Sequence, residues 1–330
     1  MHKGLFALRA DMRARIYGEE EMRDIAALVD VYAPPQTPES LKQHPEVLRT
    51  CEIMFSGWGA PTLDRALLDA APKLRAFFYG AGSVRGIVTD AVWERGITVC
   101  SAWAANAVPV AEFTLAQIVM CLKGVWQYAF AVKREKRFVP HMPCAGGYRS
   151  MVGIISLGMI GRRVCELLQP HDVQVIAYDP LCSAEQAAEL GVTLCSLDDV
   201  FARADVVSLH TPWLKETEQM VRGTHFAMMK HGASFINTSR GAVVHETEMI
   251  EELTKRPDIL AVLDVTHPEP PAEGSPLYTL PNVILTPHMA GSIGPECRRM
   301  GRYMVEELQR YCAGQPLRWA LTREQAARMA

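Results

Sequence analysis

Val152-Gly153-Ile154-Ile155-Ser156-Leu157-Gly158-Met159-Ile160-Gly161 decides how this chain is read. Val152, Ile154 and Ile155 form a short apolar run of strand type, and Leu157 to Gly161 lead without a break into Arg162 to Leu168, which has helical periodicity. A strand, a tight turn and a helix leave backbone N–H groups unpaired at the helix N-terminus, where the macrodipole adds a partial positive charge. A pyrophosphate fits there. Gly158 lets the backbone approach phosphates, Met159 and Ile160 continue the turn, and Gly161 lets the helix pack close to the strand. Ser156 stands where the dinucleotide fingerprint G-x-G-x-x-G has its first glycine, so two of the three glycines are present.

Glycine-rich turns after apolar strands also occur with no ligand at all, and the next strand bears on that choice. Val173 to Tyr178 is apolar and β-branched and ends in Asp179, 21 residues beyond Gly158, where a carboxylate accepts hydrogen bonds from an adenosine ribose. An Asp after a strand is commonly a turn former, but its spacing from the glycines favours NAD. Pro180 follows, with no Arg beside it to meet a 2′-phosphate.

A length of 330 residues exceeds most single hydrophobic cores, so two domains are expected. The net charge of −3 carries no basic excess, which argues against nucleic acid and anionic membranes as partners. Met1 to Ala10 lacks an adequate apolar leader core, and no stretch reaches the roughly 18 uninterrupted apolar residues of a membrane span. Nine cysteines are scattered without C-x-x-C spacing, and their odd number argues against a disulfide framework. A reducing cytoplasm is the expected location, and no metal-ligand set is read.

The first hundred residues alternate short strands and helices. Gly4 to Leu8, Ile53 to Phe55, Leu74 to Tyr79 and Ile97 to Val99 are strand-like, and Thr37-Pro38-Glu39 reads as an N-cap with proline at the first helical position. Gly80-Ala81-Gly82-Ser83 follows a strand; such a turn is either a plain connector or a backbone nest offering N–H groups to an anion. A long apolar helix runs from about Glu112 to Trp126, preceded by Asn106 and Pro109, and a domain boundary is placed near its start. Lys133 to Ser150 reads as a surface loop.

Beyond Asp179, strand signals recur at Asp205 to His210, Ala233 to Asn237, Leu260 to Val265 and Val283 to Thr286, the pattern of a doubly wound parallel sheet. A last helix from about Ile293 to Tyr311 leads back to the first domain. The expected fold class is therefore α/β with two domains, residues 107–293 forming a dinucleotide domain inserted between 1–106 and 294–330. In open sheets of this kind ligands bind outside the carboxyl ends of the strands. Arg240 follows the strand ending at Asn237, Asp264 ends the next strand, Glu269 sits just after it and His288 follows the last strand, so together they mark one edge.

At these residues the chain resembles the D-isomer-specific 2-hydroxyacid dehydrogenase family. The resemblance rests on Asn237-Thr238-Ser239-Arg240-Gly241, on Leu263-Asp264-Val265 running to Glu269-Pro270, and on Thr286-Pro287-His288-Met289-Ala290-Gly291. Glu269 follows Arg240 by 29 residues and His288 follows Glu269 by 19, which agrees with the family spacing. His210-Thr211-Pro212 matches the segment covering the cofactor, and Asn106 with Val110-Ala111-Glu112 matches the start of the interdomain helix. The likeness is specific from about residue 74 to 300 and weak before residue 50.

The resemblance implies a Rossmann cofactor domain inserted in a flavodoxin-like substrate domain, NAD as cofactor, a small 2-keto or 2-hydroxy acid as substrate, and a homodimer built on the cofactor domain. It implies that Arg240 grips the substrate carboxylate and polarises the 2-carbonyl, work suited to a planar, permanently charged fork. His288 becomes the acid in reduction and the base in oxidation, with Glu269 orienting it. Asp264 contacts the nicotinamide end, Thr238, Ser239 and Gly291 join the cofactor contacts, and Gly80 to Ser83 offer N–H groups to the substrate carboxylate. Three positions depart from the family pattern. Ser156 replaces a glycine, Thr266 stands where an aromatic is common, and Arg85 follows the substrate loop where many relatives carry an acidic or amide residue. Two other readings share this scaffold: a dinucleotide-sensing corepressor, and a phosphite-type dehydrogenase. The formate branch uses glutamine with its histidine, which Glu269 argues against.

Overall fold

Strands buried on both faces require apolar runs without alternation, and this chain has several. Ile53–Ser56, Ala76–Tyr79, Val206–Leu209, Ser234–Asn237 and Leu260–Leu263 are buried at every position. The computed structural model describes residues 1–329. It contains two compact units, Met1–Ala107 with Ser292–Met329, and Val108–Gly291.

The first unit holds strands β1 (Lys3–Phe6), β2 (Asp30–Val31), β3 (Ile53–Ser56), β4 (Ala76–Tyr79) and β5 (Thr98–Ser101) in the parallel order β2-β1-β3-β4-β5. Two apolar layers cover it. One includes Leu5, Met54, Phe77 and Val99, and the other includes Phe6, Phe55, Phe78, Met300 and Met304, the last two from the helix Cys297–Cys312. Alternate residues of each strand thus feed opposite layers, as a period of two dictates. Thr37 caps the helix Pro38–Gln43 by accepting from Ser40 N at 3.2 Å, as its sequence signature predicts.

The second unit holds β6 (Met151–Ile155), β7 (Gln174–Tyr178), β8 (Val192–Leu194), β9 (Val206–Leu209), β10 (Ser234–Asn237), β11 (Leu260–Leu263) and β12 (Val283–Leu285). Their order is β12-β11-β10-β9-β6-β7-β8, all parallel. Strand order reverses at β6, whose neighbours are β7 on one side and β9 on the other. This doubly wound sheet is the Rossmann arrangement, and the reversal marks a ligand crevice at the carboxyl edge.

Two local expectations are corrected. The apolar helix begins at Trp103 rather than Glu112 and stops at Leu122, because Gly124 adopts φ 63 and a second helix, Val125–Glu135, starts afresh. Pro109 is the seventh residue of the first helix, past the N-terminal N–H groups that have no intrahelical partner, so it forgoes one i→i−4 bond. The helix has the length and hydropathy to cross a membrane, but 56% of its most apolar window lies inside the protein, as in a core helix. The final helix is preceded by a 3-10 turn at Gly294–Glu296 and becomes α-helical only at Cys297. The short strands β2 and β8 were not legible, being two and three residues long.

Candidate active site

The turn after β6 is built around close approach. A Cβ added to Gly161 would lie 2.1 Å from the Ser156 carbonyl oxygen, so only glycine lets the helix Met159–Leu168 pack this near the strand. Around Gly158, by contrast, an added Cβ would meet nothing within 4 Å. Gly158 is the N-cap of that helix and no side chain caps it, which leaves the N-terminal amides facing open space. Ser156 takes φ 76, the left-handed region that favours glycine. Its hydroxyl pairs with that of Thr211 at 2.8 Å, which bridges the loops after β6 and β9 across the strand reversal.

Asp179 directly follows β7 with both carboxylate oxygens engaged: one accepts from Leu157 N and the other from Leu181 N, each at 2.7 Å. The predicted ribose acceptor therefore also braces the phosphate-facing turn. Arg162, which the sequence reading left out, donates from Nε to Leu157 O at 2.8 Å and stands 3.7 Å from Cys182 Sγ. A guanidinium thus lies beside the turn after Asp179, though none is adjacent in sequence. Its signal was its place directly after Gly161.

His210 is buried, with Nε2 3.0 Å from Ser208 Oγ and Nδ1 lacking a partner among the described residues. Burial pushes its imidazole down to about 4, so it is neutral at ordinary pH. An orphaned buried nitrogen in the segment before Thr211 and Pro212, together with the open cradle at Gly158, fits a polar dinucleotide at this edge. Thr238 and Ser239 are both buried: Thr238 Oγ1 pairs with Thr114 Oγ1 at 3.1 Å, and Ser239 bonds through N and Oγ to Asn237 Oδ1 at 2.9 Å. They shape the turn that presents Arg240. Arg240 extends beyond β10, with Nη1 donating to Ser239 O at 2.6 Å. The following Gly241 is pressed against the β11 loop, since a Cβ there would lie 2.0 Å from the Thr266 carbonyl carbon.

Glu269 and His288 meet, although 19 residues separate them: Glu269 Oε1 lies 2.6 Å from His288 Nδ1. Both are nearly half exposed, with side-chain exposures of 41% and 47%, so the pair opens to the edge rather than into the core. His288 has φ 51 and is fixed by its own N–H, directed at Asp264 O (2.9 Å) and Thr286 O (3.0 Å). Asp264 is 2% exposed, and its carboxylate accepts from Thr286 Oγ1 at 2.6 Å and from Met289 N and Ala290 N at 2.9 Å. The task visible for Asp264 is to hold the loop carrying His288 and Gly291. Glu246, also absent from the sequence reading, accepts from His267 N at 3.0 Å and anchors the loop delivering Glu269. Burial raises the Glu246 carboxyl above the usual range.

Gly80 to Ser83 lie in the first unit, directly after β4. Gly80 N donates to Ser56 O at 2.8 Å, and Ala81 is buried while Gly82 and Ser83 are partly exposed. The amide of Asn106 accepts from Ser292 N at 2.9 Å, and its Nδ2 would stand 3.5 Å from a Cβ on Gly82.

Residues 115–290, more than half of the chain, match the family model described as D-isomer specific 2-hydroxyacid dehydrogenase, NAD binding domain. NAD is the cofactor of the domain so matched. The D-3-phosphoglycerate dehydrogenase of Archaeoglobus fulgidus is 30% identical over 262 residues, covering 78% of this chain and 49% of that protein. The hydroxypyruvate reductase of Thermotoga maritima is 29% identical over 264 residues, covering 75% of this chain and 84% of that protein. The chain spans about half the length of the phosphoglycerate dehydrogenases it matches. A phosphoglycerate oxidoreductase from Rhizobium etli superimposes with TM-score 0.81 at 21% identity, over 98% of this chain and 99% of the other. The NAD-complexed D-isomer specific 2-hydroxyacid dehydrogenase of Lactobacillus delbrueckii gives TM-score 0.79, also at 21% identity, over 97% and 100%. Both are likenesses of fold.

Proposed function

Because the chain belongs to the D-isomer specific 2-hydroxyacid dehydrogenase family, we propose that it interconverts a 2-keto acid and a D-2-hydroxy acid with NAD(H). The observation that carries this reading is the 2.6 Å Glu269–His288 pair, set on the same carboxyl edge of the sheet as the Gly158 turn. NADH supplies the hydride. Everything else falls to the protein.

The amides of the first turn after Gly158 hold the pyrophosphate, and Asp179 receives the adenosine ribose. Arg240 holds the substrate carboxylate and draws electron density from the keto oxygen. His288, paired through Nδ1 with Glu269, has Nε2 left to deliver a proton to that oxygen in reduction and to remove it in oxidation. Glu269 fixes the ring's orientation through that contact. In the first unit, Gly80 to Ser83 offer backbone amides suited to a carboxylate. Two further readings accompany this one. All nine cysteines are unpaired, which supports a reducing compartment, the cytoplasm. Among the described residues, six of the twelve exposed large apolar side chains fall between Val119 and Tyr148, which supports a homodimer through that part of the cofactor unit.

The direct test is NADH consumption against a panel from glyoxylate through hydroxypyruvate and pyruvate to bulky 2-keto acids, with Arg240→Lys run beside the wild type. Turnover of at least one 2-keto acid is expected, with both binding and rate falling in Arg240→Lys because one arm of the fork is lost. No turnover across the panel, or wild-type kinetics in the variant, overturns the assignment.

A further inference from the structure

The Gly80–Ser83 turn is held from below by a side chain that no motif points to. Ser101, the last residue of β5, is fully buried. Its N–H donates to Trp319 O at 3.2 Å and its Oγ accepts from Trp103 N at 3.3 Å. The hydroxyl proton is directed at two consecutive carbonyls of the turn, Ala81 O at 3.0 Å and Gly82 O at 2.5 Å.

Those two carbonyls belong to the peptide units whose N–H groups are on Gly82 and Ser83. In a trans peptide the C=O and N–H point in opposite directions. Drawing both carbonyls toward Ser101 therefore turns both N–H groups away from it, toward the partly exposed side of the turn. Two adjacent outward amides make a nest for an anionic group. The floor beneath is rigid as well. Tyr17, buried, donates its hydroxyl to Ser56 O at 2.8 Å, and a Cβ on Gly80 would lie 2.7 Å from that hydroxyl oxygen.

We propose that Ser101 is a positioning residue for substrate: its hydroxyl sets the peptide planes of the Gly80–Ser83 turn so that the Gly82 and Ser83 amides receive the substrate carboxylate. This rests on the 2-keto acid reading above. Ser101 touches no substrate itself, so its loss acts on carboxylate binding and leaves the cofactor unit alone.

The test titrates oxamate, a carboxylate analogue of a 2-keto acid, into the NADH-loaded full chain, following NADH fluorescence. Ser101→Ala removes the donor, Ser101→Thr keeps it, and Ser101→Cys keeps the volume with a poor donor. Oxamate affinity is expected to fall about tenfold in Ser101→Ala, the size of effect that one lost orienting hydrogen bond gives, and by an intermediate factor in Ser101→Cys. Ser101→Thr should stay within about threefold of the wild type, and NADH affinity should be unchanged in all. Should Ser101→Ala not fold, Ser101→Cys against Ser101→Thr carries the comparison. Oxamate binding by Ser101→Ala or Ser101→Cys equal to the wild type overturns the proposal, as does a parallel loss of NADH affinity. A wild type that binds NADH but neither binds oxamate nor turns over any keto acid overturns the 2-keto acid reading instead.

Discussion

Glu269 and His288 meet through one 2.6 Å contact at a nearly half-exposed edge, so the carboxylate's visible work is to hold the ring by Nδ1 and leave Nε2 free. Replacing Glu269 by Gln keeps most of the shape but ends the charge-assisted hydrogen bond, so kcat for keto-acid reduction should fall by about tenfold or more with NADH affinity unchanged. The measurement is kcat at saturating NADH, with NADH affinity, for both proteins; wild-type turnover in the variant means Glu269 is not the working partner. His210 gives a prediction of the opposite kind, about stability. Burial holds its folded-state value near 4, below the ordinary 6.5, so the unfolded chain takes up the proton first as pH falls. Its contribution is therefore fully present above about pH 6.5 and is lost progressively toward pH 4. Urea unfolding at pH 7 and 4.5 should show a stability loss smaller by about 2 kcal/mol in His210→Gln than in the wild type. Equal losses would mean that His210 is protonated, or solvated, in the folded protein.

The strand–turn–helix element after β6 separates two glycines that look alike in sequence. Gly161→Ala drives a Cβ against the Ser156 carbonyl, a backbone atom that cannot swing aside, so it should cost about 1–3 kcal/mol of stability in urea. Gly158→Ala meets open space at φ −71, so it should leave stability within about 0.5 kcal/mol while weakening NADH binding at the face the amides use. A Gly158 variant that binds NADH normally would remove the cradle from that face. The turn after β7 carries a further test, because a carboxylate at Asp179 repels a 2′-phosphate. NADH should be preferred over NADPH by about tenfold or more, and Asp179→Asn, which drops the charge but keeps an acceptor for Leu157 N, should narrow that gap. Equal use of both cofactors by the wild type would refute it. The glycines, the carboxylate at the end of β7 and the fold were legible because periodicity and spacing record them directly. What escaped was the support: Glu246, Ser101 and the Ser156–Thr211 bridge act through contacts between segments distant in sequence, which no local pattern encodes. Asp264 was legible as a position but not as a task, since its three loop contacts exist only once β11 and β12 lie side by side.

At the level of the whole molecule, the question is what covers the apolar side chains between Val119 and Tyr148. Val119, Val125, Phe130, Phe138, Met142 and Tyr148 are exposed there, with Phe138 at 92%, within a stretch of 30 residues. Scattered single exposures need no explanation, but this density across two helices and the loop after them supports the homodimer reading. A second copy of the same chain is the occupant the homodimer reading supplies, and a two-fold interface would use this one surface on both partners. The chain has a mass of 36.6 kDa, so light scattering after gel filtration should give about twice that value at micromolar concentration. Phe130→Glu places a charge on the helix Val125–Glu135 at a site already 44% exposed, where a monomer would accept it with little loss of stability. In a dimer the same charge must lose its water on association, so the measured mass should fall toward the monomer as the sample is diluted. Reduced stability at low protein concentration should accompany it, because subunit association stabilises the fold by mass action. A wild type that stays monomeric, or a Phe130→Glu protein that remains dimeric at every concentration, would show that this segment is not the interface.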